Sequence, residues 1–225
     1  RADRAADPAA RCRHLQRAVL PIRDGLNLTS ELYYKDITDI VVSRAPQNNY
    51  PGLTTEEYNA LPRYTNDGSG QSWGVETLLN ADYSDRWYGW VSMTLSRTER
   101  SNDITDENFR YSYDKPIVIN AVGNYRWNDR WTFGLKWRYE SGQLVTPLEG
   151  VEEDDDTPGL FNPVYGDPFS ERLPAYHRLD FRADRAYQFS RWSMDLYFEV
   201  INLYARENVV GYRYLNADYS EREDV

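Results

Sequence analysis

Few side chains in this 225-residue chain stand where chemistry could start. His177 is the one imidazole after residue 24. A general base or nucleophile-activating histidine would need a serine or aspartate on its own surface. Asp180 is three positions away, so on an extended backbone it points from the opposite face. His177 therefore reads as an interfacial side chain near a strand end, and no catalytic residue is expected. The acidic run at 152–156 (EEDDD) lacks the glycine and ligand spacing of a calcium loop and reads as solvated loop. Cys12 is the single cysteine, which excludes an intrachain disulfide or a thiolate metal cluster. No cofactor or metal site is expected.

The remaining candidates are charged residues spaced by two: Glu31 and Lys35, Glu76, then Lys136, Arg138 and Glu140, then Arg178, Asp180 and Arg182, then Asp195 and Glu199. Such a stripe solvates one face of a sheet and forms cross-strand pairs. Its sharper use is to grip an anion with Arg138, Arg178 and Arg182 through bidentate bonds.

That stripe needs strands to carry it, and the clearest lie at 117–139. Trp131, Phe133, Leu135, Trp137 and Tyr139 alternate with Arg130, Thr132, Gly134, Lys136 and Arg138, which puts one set on each face of a β-strand. Ile117, Ile119, Ala121, Tyr125 and Trp127 continue the apolar set before a turn at Asn128 and Asp129. The result is a hairpin with tryptophans at its tight end. Each arm has about ten residues, enough for a tilted strand to cross a bilayer. A soluble sandwich shows the same alternation.

Composition narrows the classes. No run approaches the roughly 18 apolar residues of a transmembrane helix. A mean hydropathy of −0.78 does not exclude a membrane barrel, whose strands have one polar face and whose loops are polar. The net charge of −10, with no basic cluster among the 19 tyrosines and 7 tryptophans, excludes nucleic acid as a partner.

Residues 1–23 carry arginine and alanine, no aromatic residue and no apolar core of the kind a secretory signal needs. They read as a disordered or non-native segment. Alternation begins at Leu26, Leu28, Leu32 and Tyr34 and returns at 73–83, 87–95, 179–187 and 192–200, which with the hairpin makes seven strands. Short turns alternate with long polar connections, the first carrying Pro46, Pro51 and Pro62 and the others at 97–116 and 145–174, and aromatics edge every short turn: Tyr83 and Trp87, Trp127 and Trp131, Tyr187 and Trp192. Outer-membrane barrels sort their loops this way, with short periplasmic turns, long extracellular loops and aromatic girdles. The apolar face then meets lipid, and Glu76, Lys136, Arg138, Arg178, Arg182 and Glu199 become candidates to line the lumen. Seven strands cannot close with an even count. Either 208–219 supplies an eighth wall strand of a small closed barrel, or the chain is part of a larger one.

Several strings bear on that choice. YTNDGSGQSWGVE, with Tyr64, Asn66, Gly68, Gly74 and Glu76, then Tyr113, Asp114 and Pro116, then SGQLVTP from Ser141, LPAYHRLDFR from Leu173 and FEVINLY from Phe198, resemble in this order the C-terminal part of TonB-dependent outer-membrane receptors. The resemblance covers residues 25–225. It implies an all-β, antiparallel transmembrane barrel in which residues 24–225 are about seven or eight meandering strands of about 22. It also implies residence in the bacterial outer membrane and uptake of a bulky solute of siderophore, vitamin or glycan class. A plug domain and the TonB energy-coupling complex would be partners in the full-length protein. The tail at 208–225 then belongs to the last extracellular loop. This chain shows neither a plug nor a closing strand ending in an aromatic residue, so it reads as a fragment. The alternatives are a small closed barrel acting as a passive pore or adhesion module, and a soluble extracellular sandwich.

Overall fold

The computed structural model describes residues 9–44, 50–82, 84–154, 157–216 and 218–225. Strand β1 (Ala9–Arg23) turns through Asp24 and Gly25 into β2 (Leu26–Ser43), and the connection that follows holds helix α1 (Thr55–Ala60). Next come β3 (Tyr64–Asp82), β4 (Trp87–Asn102), β5 (Glu107–Arg110), β6 (Ile117–Arg126) and β7 (Trp131–Glu140). A long connection carries β8 (Leu144–Val145), β9 (Leu148–Glu153), β10 (Phe161–Tyr165) and β11 (Glu171–Arg172). Strands β12 (Tyr176–Gln188), β13 (Ser193–Val200), β14 (Tyr212–Tyr214) and β15 (Arg222–Asp224) complete the order.

One antiparallel sheet dominates, in the order β1-β2-β3-β4-β6-β7-β12-β13, with β5 folded back on the far end of β4. The path is open, and β1 and β13 are its edges. The other strands form two-stranded ribbons, β8 with β11, β9 with β10 and β14 with β15.

The ladder register preserves the alternation read from sequence across the whole sheet. One row runs Leu26, Ala81, Gly89, Gly123, Leu135, Phe181 and Val200. Another runs Leu28, Leu79, Val91, Ala121, Trp137 and Leu179. Directly opposed residues share a face, so these rows make one continuous apolar surface. Nothing in the described structure packs over it. The buried apolar residues are Ile40, Val42, Leu144 and Leu173, while Leu135, Leu196 and Phe198 are 49%, 51% and 64% exposed. A soluble sandwich would bury that face against a second sheet, and a single sheet with no second layer is a different architecture.

The short turns use side chains as backbone acceptors. Ser84 Oγ accepts from the amides of Arg86 and Trp87 (3.2 and 3.1 Å). Asn128 Oδ1 accepts from those of Arg130 and Trp131 (2.9 and 3.0 Å). Small polar residues suit these places because they satisfy amides that the ladder leaves unpaired.

All seven patterned segments are strands of the main sheet, and two features depart from expectation while a third decides between its alternatives. The backbone of Ala9–Arg23, expected to be disordered or foreign, forms an antiparallel ladder with β2. A ladder is made of N–H and C=O groups, so the open edge of β2 accepts an extended segment without side-chain alternation. The tail follows the loop reading and not the eighth-strand alternative, because β14 pairs with β15 outside the main sheet. The long connections are also more ordered than their polarity suggested: β3 starts at Tyr64, β4 continues to Asn102, and α1 forms between prolines.

Helix α1 survives at six residues because a capping box closes it. Thr54 N donates to Glu57 Oε2 (2.9 Å), and Glu57 N donates to Thr54 Oγ1 (3.3 Å). The backbone bond from Thr54, reinforced by its hydroxyl, holds the Glu57 carboxyl below its ordinary value of 4.5. A carboxyl lowered by folding stabilises above its unfolded value, and that contribution vanishes as pH falls through the lowered one. Amide exchange at Glu57 and Tyr58 is therefore expected to be slow at neutral pH and to accelerate below 4.5 beyond its intrinsic trend. The Glu57→Gln variant should show no such acceleration.

Candidate functional site

The charged face of the sheet collects the six sequence candidates, because every one falls on the parity opposite to the apolar rows. Lys136 stands opposite Asp180, Arg138 opposite Arg178, Arg182 opposite Glu199, and Glu76 opposite Glu31. Two of these couples bring like charges together, which alone would destabilise the ladder. The arginine couple is neutralised along its own strands. Arg138 forms an ion pair with Glu140, and Arg178 Nε lies 2.9 Å from Asp180 Oδ1. Arg182 repeats the spacing with bonds to both oxygens of Asp184 (2.7 to 3.0 Å), and its guanidinium sits 4.0 Å from the Tyr197 ring centre.

The three arginines considered for anion capture thus each hold a carboxylate two residues on. A solute anion would have to displace that carboxylate. The charged face can stay hydrated and keep its register while presenting balanced charge. Among the described residues no group of three His, Cys, Asp or Glu side chains could hold a metal ion.

A second cluster, at the long-loop end of β4, β6 and β7, escaped the sequence reading. Asp114 is 2% exposed. Its Oδ1 accepts from Thr98 N (2.9 Å) and its Oδ2 from Arg172 Nη2 (3.0 Å). Arg172 Nη1 also donates to the carbonyls of Asp114 (2.7 Å) and Gly142 (2.6 Å). Beside it Lys115 pairs with Glu140, and Leu144 and Leu173 are buried. A Cβ on Gly142 would overlap the Leu173 carbonyl, so the backbones can approach only with glycine there. The signal was present in Tyr113, Asp114, Pro116 and the string from Ser141, but nothing local says that Arg172 closes the ring from 58 residues away.

His177 lies on the apolar parity near the start of β12. Its Nδ1 is 2.7 Å from the Tyr204 hydroxyl and its ring stacks on Tyr139. Asn208 brackets its backbone, accepting from His177 N (3.0 Å) and donating to His177 O (3.1 Å). Asp180, 6% exposed, accepts from Asn202 N (2.9 Å) and fixes the chain as it leaves β13. These partners give His177 an anchoring role.

The aromatics gather at the short-turn end. Trp87 packs on Tyr125 at 4.4 Å, Trp131 stacks on Phe133 at 6.0 Å, Trp127 reaches Phe133 at 6.1 Å, and Phe189 bridges Tyr187 and Trp192 at 6.5 and 4.0 Å. Trp87, Trp127 and Trp192 remain more than half exposed. Tyr83 lies outside the described residues.

The sequence matches the family described as TonB dependent receptor-like, beta-barrel, over residues 20–203. The fold resembles that of the ferric-catecholate import receptor Fiu from Escherichia coli K12 in its closed form. The TM-score is 0.58 and the identity 18%, over 90% of this chain and 24% of that one. It also resembles the outer membrane transporter YddB from Escherichia coli, with a TM-score of 0.54 and 10% identity over 85% of this chain and 28% of that one. At such identities the likeness is one of fold, and the chain spans about a quarter of the length of either structure. No curated protein matches it.

Removing one partner from the loop clasp leaves the other charge poorly solvated, at a typical cost of about 3 kcal/mol. Asp114→Ala should therefore loosen the connections at 97–116 and 141–175. Limited proteolysis is expected to cut there at least about tenfold faster than in the parent, with the strands still protected.

Proposed function

The chain belongs to the TonB-dependent receptor-like β-barrel family of the outer membrane, and from that premise we propose that it forms part of the wall of a transmembrane barrel that imports a bulky solute. The observation that supports this most is the set of apolar rows running across the sheet, which no second sheet of the described residues covers. Water does not tolerate so large a continuous patch on a monomer, whereas lipid requires it. Every backbone group inside a bilayer must also be paired within the protein, which a meander of antiparallel strands achieves everywhere except at its edges. Strands β1 and β13 are such edges, so the wall is completed by further strands, in a barrel of about 22. The sheet does not close on itself among the described residues, which leaves the small closed barrel without support.

In this reading residues 24–225 are barrel, joined by β1 at one edge, with short turns periplasmic and long connections extracellular. Trp87, Trp127, Trp131, Tyr187 and Trp192 form the inner interfacial girdle. Glu76, Lys136, Arg138, Arg178, Arg182 and Glu199 line the lumen. The whole receptor takes a plug domain and the TonB complex as partners, with outer-membrane lipid around it. A ferric siderophore is the first solute class to test, because Fiu is an import receptor for ferric catecholates; a vitamin or a glycan fragment comes next.

Single cysteines in a Cys12→Ser background test which face meets lipid. In outer-membrane vesicles a water-soluble maleimide should label Lys136→Cys and Glu199→Cys and spare Leu135→Cys and Leu196→Cys. Equal labelling at all four positions would sink the proposal. Leu135→Arg should cost about 2–4 kcal/mol of stability in lipid, seen as a lower denaturant midpoint. Joint replacement of Arg138, Arg178 and Arg182 by glutamine leaves Glu140, Asp180 and Asp184 without counter-charges and should lower uptake of an anionic solute in the whole receptor by repulsion; unchanged uptake would show that the charge of this face does not act on the solute.

A further inference from the structure

Arg185 is an arginine on the wrong side of its strand for a lumen wall. Arg178 and Arg182 have the parity of the charged face, whereas Arg185 shares that of Phe181, Ala183 and Tyr187 and stands directly opposite Trp131 on β7 and Leu196 on β13. Its guanidinium carbon lies 5.1 Å from the Trp131 ring centre and 4.7 Å from that of Tyr187. The ion pairs formed by the described residues occupy Arg178 and Arg182 but not Arg185. Its Nε is buried without a hydrogen-bond partner.

Position along the strand sets the depth. Arg185 lies three residues before the end of β12, at the short-turn rim where the exposed tryptophans gather. A cation on the lipid side is costly at the bilayer centre and tolerated at the interface, where headgroup phosphates lie. The rim is also indented there. A cleft of about 360 Å³ is lined there by Asp129, Arg130 and the run from Arg185 to Phe189, so Arg130, of the opposite parity, meets Arg185 at the rim from the turn before β7. A guanidinium held against aromatic faces keeps its edge N–H groups directed outward, and that fork matches two oxygens of a phosphate.

We propose that Arg185, with Arg130 beside it, binds the phosphate of a phospholipid headgroup on the membrane-facing side of the short-turn rim. The site rests on the wall reading above. The aromatic rings orient the guanidinium, the acyl chains lie along the apolar rows of β7, β12 and β13, and Arg130 supplies the second positive charge. Asp129 is the competing occupant within the protein. If it were to neutralise both arginines, the cleft would have no affinity for an anion.

Native mass spectrometry of the intact protein in maltoside detergent tests this, with dioleoylphosphatidylglycerol and the phosphate-free dioleoylglycerol as probes. The parent should retain phosphatidylglycerol and not dioleoylglycerol. Arg185→Gln should weaken that retention about tenfold, the scale of one lost charge-assisted contact. Arg213→Gln, an equal change of charge on β14, should leave it intact. Inorganic phosphate in millimolar excess should not displace the lipid; displacement would make the site one for free phosphate and overturn the headgroup assignment. Equal retention by the parent and Arg185→Gln, or equal retention of both lipids, would also overturn it. Heat-modifiable mobility on gels is read in parallel. A parent lacking it sinks the wall reading and this site together, whereas a heat-modifiable parent with retention insensitive to Arg185 sinks the site alone. If Arg185→Gln fails to fold, Arg130→Gln probes the same cleft, and undiminished retention in that variant overturns the assignment.

Discussion

A slip of one residue in any ladder of the main sheet would carry an apolar row to the charged side and a charged row to the apolar side. The other features of the wall depend on that not happening. Leu26 to Val200 form a row across seven strands because each short turn fixes the offset between its two arms. Ser84 and Asn128 do so by binding the amides just past them, so the returning strands start at Trp87 and Trp131 in the right phase. Register, in turn, decides which medium each side chain meets.

The same constraint explains the placement of charge. Arg138 and Arg178 are forced opposite each other by a register that the apolar face dictates. The conflict is resolved along the strand, where residues two apart share a face. Glu140, Asp180 and Asp184 all stand two positions after an arginine, and each pairs with it. Hydrophobic phase and electrostatic balance are therefore met by one period.

That period is why the wall was legible in the sequence. Alternation at 26–34, 73–83, 87–95, 117–139 and 179–200 is a local property, and the polar side chains at the short turns announce themselves. What was illegible is non-local. Strand β1 carries no alternation and is held by its backbone against β2. The clasp joins Asp114 to Arg172 through loops whose composition looks like solvated linker. His177 reads as isolated until Tyr204 and Asn208 fold back on it. Arg185 follows Arg182 and Asp184 in the sequence, and only a count of parity from Phe181 separates it from them.

The neutralised wall bears on where selectivity in such a receptor would reside. A lumen lined by unpaired arginines would hold an anionic solute by several charge-assisted contacts of about 1.5–3 kcal/mol each, and release would be slow. When each guanidinium already has a carboxylate, a passing anion exchanges one partner for another and gains little. Lining the lumen of the proposed receptor, such a surface would favour passage over capture. In the proposed receptor discrimination would then fall to the long connections, where Asp114, Arg172 and the close approach of Gly142 to Leu173 give the loops a fixed shape. A loop held in one conformation has lost its ordering entropy before any solute arrives, so contacts made on it convert more fully into affinity.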